Sequence, residues 1–205
     1  AKVLGESGKL QAGEYEFTPD MNLLQVIDKI ASGDTVSLRV TIPEGYTIEQ
    51  IAALLKTHRL ADEQKLVQLA KYNGSRFQDL LEVPGNSLEG YLFPDTYLIP
   101  KATSEEAVIR MMLTAFKKKV WDPLGPQMES GGKSLHQIIT MASLVEREAR
   151  KPQERSMIAA VLWNRLKAGM KLQCDATVQY ALGFHKARLI YDDLKVESPY
   201  NTYPV

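Results

Sequence analysis

The 205-residue sequence carries 25 basic and 25 acidic side chains, so its formal net charge is zero and no global field draws it to nucleic acid or to an anionic membrane surface. Apolar residues make up 44% and charged ones 24%, an ordinary globular balance, and one cysteine, Cys174, excludes an internal disulfide. The strongest apolar runs, 138–145 and 157–163, are too short to span a bilayer, and the even charge suits an uncharged polymer such as a glycan.

Residues 13–57 read as a small α/β unit. "GEYEF" (13–17) alternates like a strand. Pro19-Asp20 opens a helix carrying Leu23, Leu24, Ile27 and Ile30, which Gly33 is placed to stop. "VSLRVTI" (36–42), β-branched at alternate positions, is a second strand, and Thr47 with Gln50 forms a capping box before a helix bearing Ile51, Leu54 and Leu55. Beyond residue 60 helices dominate. A short one covers 62–72, and 83–100, rich in turn-formers and aromatic residues, reads as an extended loop. Thr103 and Glu106 cap a helix to about Val120, with Val108, Ile109, Met112, Leu113 and Phe116 on one face. Ser134 and Gln137 cap the next, over 135–149. Pro152 begins another that stops at Gly169, and Asp175 is the expected N-cap of a short helix ending near Gly183.

Several chemistries drop out. "ESGGKS" (129–134) has Gln127 where a phosphate-binding loop needs its first glycine, so it reads as a flexible entry to a helix. His58, His136 and His185 lie in separate segments without metal-ligand spacing, and no serine sits in a nucleophile elbow. Carboxylates remain. At 100° per residue, Leu135, Ile138, Ile139, Ala142, Val145 and Ala149 share a helix face. Glu146 then falls about 50° from its centre and Glu148 about 110° away. Glu146 is therefore expected in the apolar interior or a cleft lined by it. Geometry alone leaves open whether it is an acid in a dry pocket or a structural ion pair with Arg150, four residues on.

Four stretches in order, "LEGYLFPDTYLIP" (88–100), "ASLVEREA" (142–149), "NRLKAGMKLQCDATVQYALG" (164–183) and "SPYNTY" (198–203), closely resemble the YceG-like endolytic murein transglycosylases. The upstream "GEYEF", "IASGD" and "TIPEGYTIEQIAALL" resemble that family's LysM-like unit. The resemblance covers nearly the whole chain. It implies an α+β architecture: a LysM-like α/β unit at 1–57, then a mainly helical, lysozyme-like catalytic domain at 58–205, cut short at its C-terminal end. It makes Glu146 the catalytic acid and places Glu89, Gln173, Asp175, Thr177, Tyr180, Asn201 and Tyr203 at substrate-binding positions. No metal or cofactor is implied.

The implied chemistry needs one carboxylate. Protonated, it donates to the oxygen bridging N-acetylmuramic acid and N-acetylglucosamine; ionised, it accepts the proton of the muramyl 6-hydroxyl, which closes a 1,6-anhydro ring. An apolar wall would keep the acid protonated near neutral pH. The implied partners are peptidoglycan strands and peptidoglycan-synthesis proteins, on the outer face of a bacterial inner membrane. Family members carry an N-terminal membrane helix and continue past "NTY" with Gly-Leu-Pro-Pro-Gly. No signal peptide is visible here, and a start on Ala1 rather than Met leaves room for a targeting segment upstream. Cys174 and Ala176 stand where the family shows Thr or Ser and Pro, and the helix is expected to tolerate that alanine. The other functional class open to the chain is a non-catalytic cell-wall glycan-binding or scaffold protein.

Overall fold

The computed structural model describes residues 10–203. They form two compact units, divided in sequence between Gly125 and Pro126.

In the first unit, α1 (Leu23–Ser32) is capped by an Asn22–Gln25 box rather than by Pro19-Asp20, and Gly33 closes it in the left-handed region. Leu23 and Leu24 are exposed. The strand expected at 13–17 does not form. That segment makes one backbone bond into the sheet region, from Val36 N–H to the Glu14 carbonyl (2.8 Å), too little for a ladder. β1 (Ser37–Thr41) pairs antiparallel with β2 (Thr96–Pro100), with Val40 opposite Tyr97 and Leu38 opposite Ile99. β2 lies inside the stretch read as a loop. Its alternation is real: Tyr97 and Ile99 are buried and Leu98 faces out.

Between the strands come α2 (Ile48–Thr57), with the Thr47–Gln50 box in place, and α3 (Glu63–Val67), which widens into a π turn over 68–72. α4 (Glu105–Phe116) starts one residue later than expected, because the side chain of Ser104, not Thr103, accepts from Ala107 N–H. Its predicted apolar face is buried to the last residue. Glu105 ties the first turn of α4 to α3, accepting from Asp62 N–H (3.0 Å) and pairing with Lys65 (2.6 Å). Leu88 and Tyr91 of the aromatic stretch are fully buried, and Tyr91 meets Phe116 edge-on at 5.4 Å.

α5 (Asp122–Ser130) runs through the junction and ends at a Gly131-Gly132 turn. The second unit holds α6 (Leu135–Glu148), α7 (Arg155–Lys167) and α8 (Asp175–Leu182). α6 packs on α7 and α8 around a small core of Met141, Leu144, Val145, Leu162 and Cys174. The Ser134–Gln137 box opens α6 as expected. Asp175 proves to be the first residue of α8, with Cys174 at the cap position making no side-chain capping bond, and Gly183 closes that helix in the left-handed region. Among the described residues no helix is long and apolar enough to cross a membrane.

Candidate catalytic site

The direction of α6 decides which glutamate faces the rest of the second unit. Its buried residues are Met141, Leu144 and Val145, while Ala142 is exposed and Leu135, Ile138 and Ile139 are half-buried. Measured from that buried stripe, Glu148 lies within about 20° of the centre and Glu146 almost 150° away. The expectation that Glu146 enters an apolar interior is therefore corrected: Glu146 is exposed, on the far side of the helix. The face had been fitted to residues near the helix ends, where the stripe is only half-covered; Met141 and Leu144 carry the packing. Among the described residues Glu146 also makes no ion pair with Arg150. Glu148 is solvent-accessible as well, so neither glutamate occupies a dry pocket within the second unit.

Glu148 is the residue whose charge reaches the start of α8. Burial pushes the Cys174 thiol up, and the negative charges of Glu148 and Asp175 push it further, while Arg165 opposes them. Tyr203 is pushed up to about 12, first by desolvation, then by its bond to Asp175 and by the charges of Asp175, Cys174 and Glu148. The Tyr203 hydroxyl donates to Asp175 Oδ1 at 2.5 Å. Asp175 and Tyr203 are thus joined at the start of α8, and the charge of Glu148 at the end of α6 adds to the rise of Tyr203 and of Cys174. The clue in the sequence was the seven-residue step from Met141 through Leu144 and Val145 to Glu148, which puts that glutamate in line with the core residues.

The other expected residues divide. Thr177 is buried, donating to the Cys174 carbonyl (2.7 Å) and meeting the Thr202 hydroxyl at 3.0 Å, so it fastens the chain there. Asn201 donates to the carbonyls of Leu194 and Val196 (2.8 and 2.9 Å) and accepts from Tyr203 N–H. Gln173 sits at φ +56°, a left-handed conformation rare for its type, with its side-chain oxygen held by Arg165. Tyr180 meets Tyr200 edge-on at 4.9 Å, and Tyr200 is exposed.

Glu89 belongs to the first unit. It accepts from Ile48 N–H at the start of α2 (3.2 and 3.4 Å), fastening the "LEGY" stretch there. Burial pushes its carboxyl up to about 7; the Ile48 N–H and Lys71 oppose the rise, and Glu49 adds to it. Among the described residues no His, Cys, Asp and Glu group is arranged to hold a metal ion.

Comparison with known proteins places this geometry in context. A family model described as the YceG-like family matches residues 1–205. An endolytic murein transglycosylase of Bacillus subtilis is 39% identical over 98% of the chain, and one of Streptococcus pneumoniae is 32% identical over 95%. The chain spans 59% and 40% of those relatives' lengths. A crystal structure titled as a putative yceG-like protein of Listeria monocytogenes is 35% identical, with a TM-score of 0.75 over 98% of this chain and 71% of that one.

Proposed function

The chain belongs to the YceG-like family, and on that premise we propose that it is the catalytic part of an endolytic peptidoglycan lytic transglycosylase of a bacterial cell envelope, cutting between N-acetylmuramic acid and N-acetylglucosamine without water. The names of the two murein-acting relatives support the substrate and the cell-wall setting. The observation that supports the chemistry is the alignment of Glu148 with the buried stripe of α6, on the side where its charge adds to the rise of the Tyr203 hydroxyl.

Glu148 is the proposed acid. It donates a proton to the bridging oxygen, the glycosidic bond breaks, and the resulting carboxylate accepts the proton of the muramyl 6-hydroxyl as that oxygen closes onto the anomeric carbon. The internal nucleophile gains from the high effective concentration of a hydroxyl on the same sugar. Asp175 and Tyr203 offer a carboxylate and a phenol to the same space, and Tyr180 with Tyr200 offers aromatic faces of the kind pyranose rings stack on. The motif resemblance instead names Glu146, two residues earlier. A general acid is worth roughly 10²–10⁴-fold in rate, so the two assignments separate cleanly by substitution.

The LysM-like, glycan-holding unit expected at 1–57 stays part of the proposal, supported by β1 and α2 within it, although the strand partner of β1, β2, lies beyond those bounds at 96–100. An anchored position on the outer face of the inner membrane, and peptidoglycan-synthesis proteins as partners, remain part of the same proposal.

A second reading is favoured by one observation. Asp175 is a second carboxylate whose charge, like that of Glu148, reaches both Cys174 and Tyr203, and hydrolytic glycosidases use two. Mass spectrometry of murein strands digested by the full-length protein tests both. Internal fragments ending in 1,6-anhydromuramic acid, lighter by one water, are expected; reducing muramic ends as the main product would replace the lyase reading with a hydrolase using Glu148 and Asp175.

A further inference from the structure

Residues 198–203 form a strap without one fully buried side chain. Tyr200 meets the ring of Tyr180 on α8, and hydrogen bonds hold the rest. Gln173 N–H donates to the Thr202 carbonyl (3.1 Å), Cys174 N–H donates to Thr202 Oγ1 (3.0 Å), and Thr202 N–H reaches Thr177 Oγ1 (3.3 Å). The two threonine hydroxyls meet at 3.0 Å, and Thr177 Oγ1 in turn donates to the Cys174 carbonyl. The bonds to Thr202 join residues 25 to 29 apart in sequence, and all converge on the turn that starts α8. The residue they leave at the end of the strap is Tyr203, whose hydroxyl bonds Asp175.

We propose that the Thr177–Thr202 hydroxyl pair is a positioning clasp, which sets the Tyr203 hydroxyl on Asp175 at the start of α8 so that it is ordered before substrate arrives. The inference rests on the catalytic reading above. It assigns Thr177 to the clasp rather than to sugar binding, and it brings in Thr202, which lies within "SPYNTY" but was given no role by the resemblance. Neither threonine touches substrate. The clasp acts through Tyr203, and its value lies in order already established before the reaction rather than in affinity. Gln173, held in the left-handed region next to the same bonds, is the backbone distortion that bringing the strap onto α8 requires.

The test uses the full-length protein with Thr202→Val, which keeps shape and removes the hydroxyl, Thr202→Ser, which restores it, and Tyr203→Phe. On murein strands Thr202→Val and Tyr203→Phe should each lose about tenfold or more in kcat, with KM within about twofold, and Thr202→Ser should stay within about threefold of wild type. Independently of turnover, NMR of ring-labelled tyrosine should show Tyr203 protonated through pH about 10.5 in wild type and Thr202→Ser, and already ionising there in Thr202→Val. Tyr203→Phe removes one half-buried hydroxyl, so it reports even if Thr202→Val does not fold. Wild-type kcat in Tyr203→Phe overturns the proposal, as does unchanged Tyr203 titration in Thr202→Val. Hydrolytic product from wild type would instead overturn the transglycosylase reading and leave the titration to judge the clasp.

Discussion

At the scale of single residues, two positions outside the proposed chemistry make sharp tests. Gln173 holds φ +56°, a conformation that costs little for glycine and most for a β-branched side chain. Gln173→Val should therefore cost about 1–3 kcal/mol in denaturant unfolding, whereas Gln173→Gly should shift stability by less than about 1 kcal/mol, relief of strain offsetting a freer unfolded chain. Glu89 makes a pH test. Its folded carboxyl is raised from 4.5 to about 7, so the folded state takes up the proton more readily than the unfolded chain. That contribution is fully present below pH 4.5 and is lost as pH rises through 7. Glu89→Gln cannot ionise. Its stability relative to wild type should rise by on the order of 1–3 kcal/mol between pH 5 and 8, read from paired melting curves. A flat difference would mean that the Glu89 carboxyl is not desolvated against α2.

At the scale of elements, capping chemistry was legible because it is local. The Thr47–Gln50 and Ser134–Gln137 boxes, the Gly33 and Gly183 stops, and the α4 face all formed from residues three or four apart. β2 was harder to read, since its partner lies about sixty residues upstream and Pro94 and Pro100 frame it as a loop; only the in–out alternation of Tyr97, Leu98 and Ile99 betrayed it. The α6 face was misjudged for a related reason. Periodicity names a set of apolar residues, but tertiary contacts with Leu162 and Cys174 select which of them are buried. That selection moves the candidate acid by two residues. The same packing gives a prediction: Leu144 belongs to the small buried cluster between α6 and α7, so Leu144→Ala should cost about 2–4 kcal/mol and unfold that unit first, as hydrogen exchange would show.

At the scale of the whole molecule, the neutral charge and missing metal-ligand spacing left carbohydrate chemistry standing, and four ordered motifs supplied the family. The resemblance names the first of the two glutamates, Glu146, as the acid, and helical periodicity set it near the apolar face of α6. The burial of Met141, Leu144 and Val145 favours the second. The most direct measurement compares Glu148→Gln and Glu146→Gln in the full-length protein, scoring 1,6-anhydromuramic ends released from murein strands alongside the melting temperature. Both variants should melt close to wild type, since both side chains are exposed. Glu148→Gln should lose anhydro product by about 10²-fold or more while Glu146→Gln stays within several-fold. Loss of product in Glu146→Gln, with Glu148→Gln active, would contradict the assignment and return the acid to the residue the motif first named.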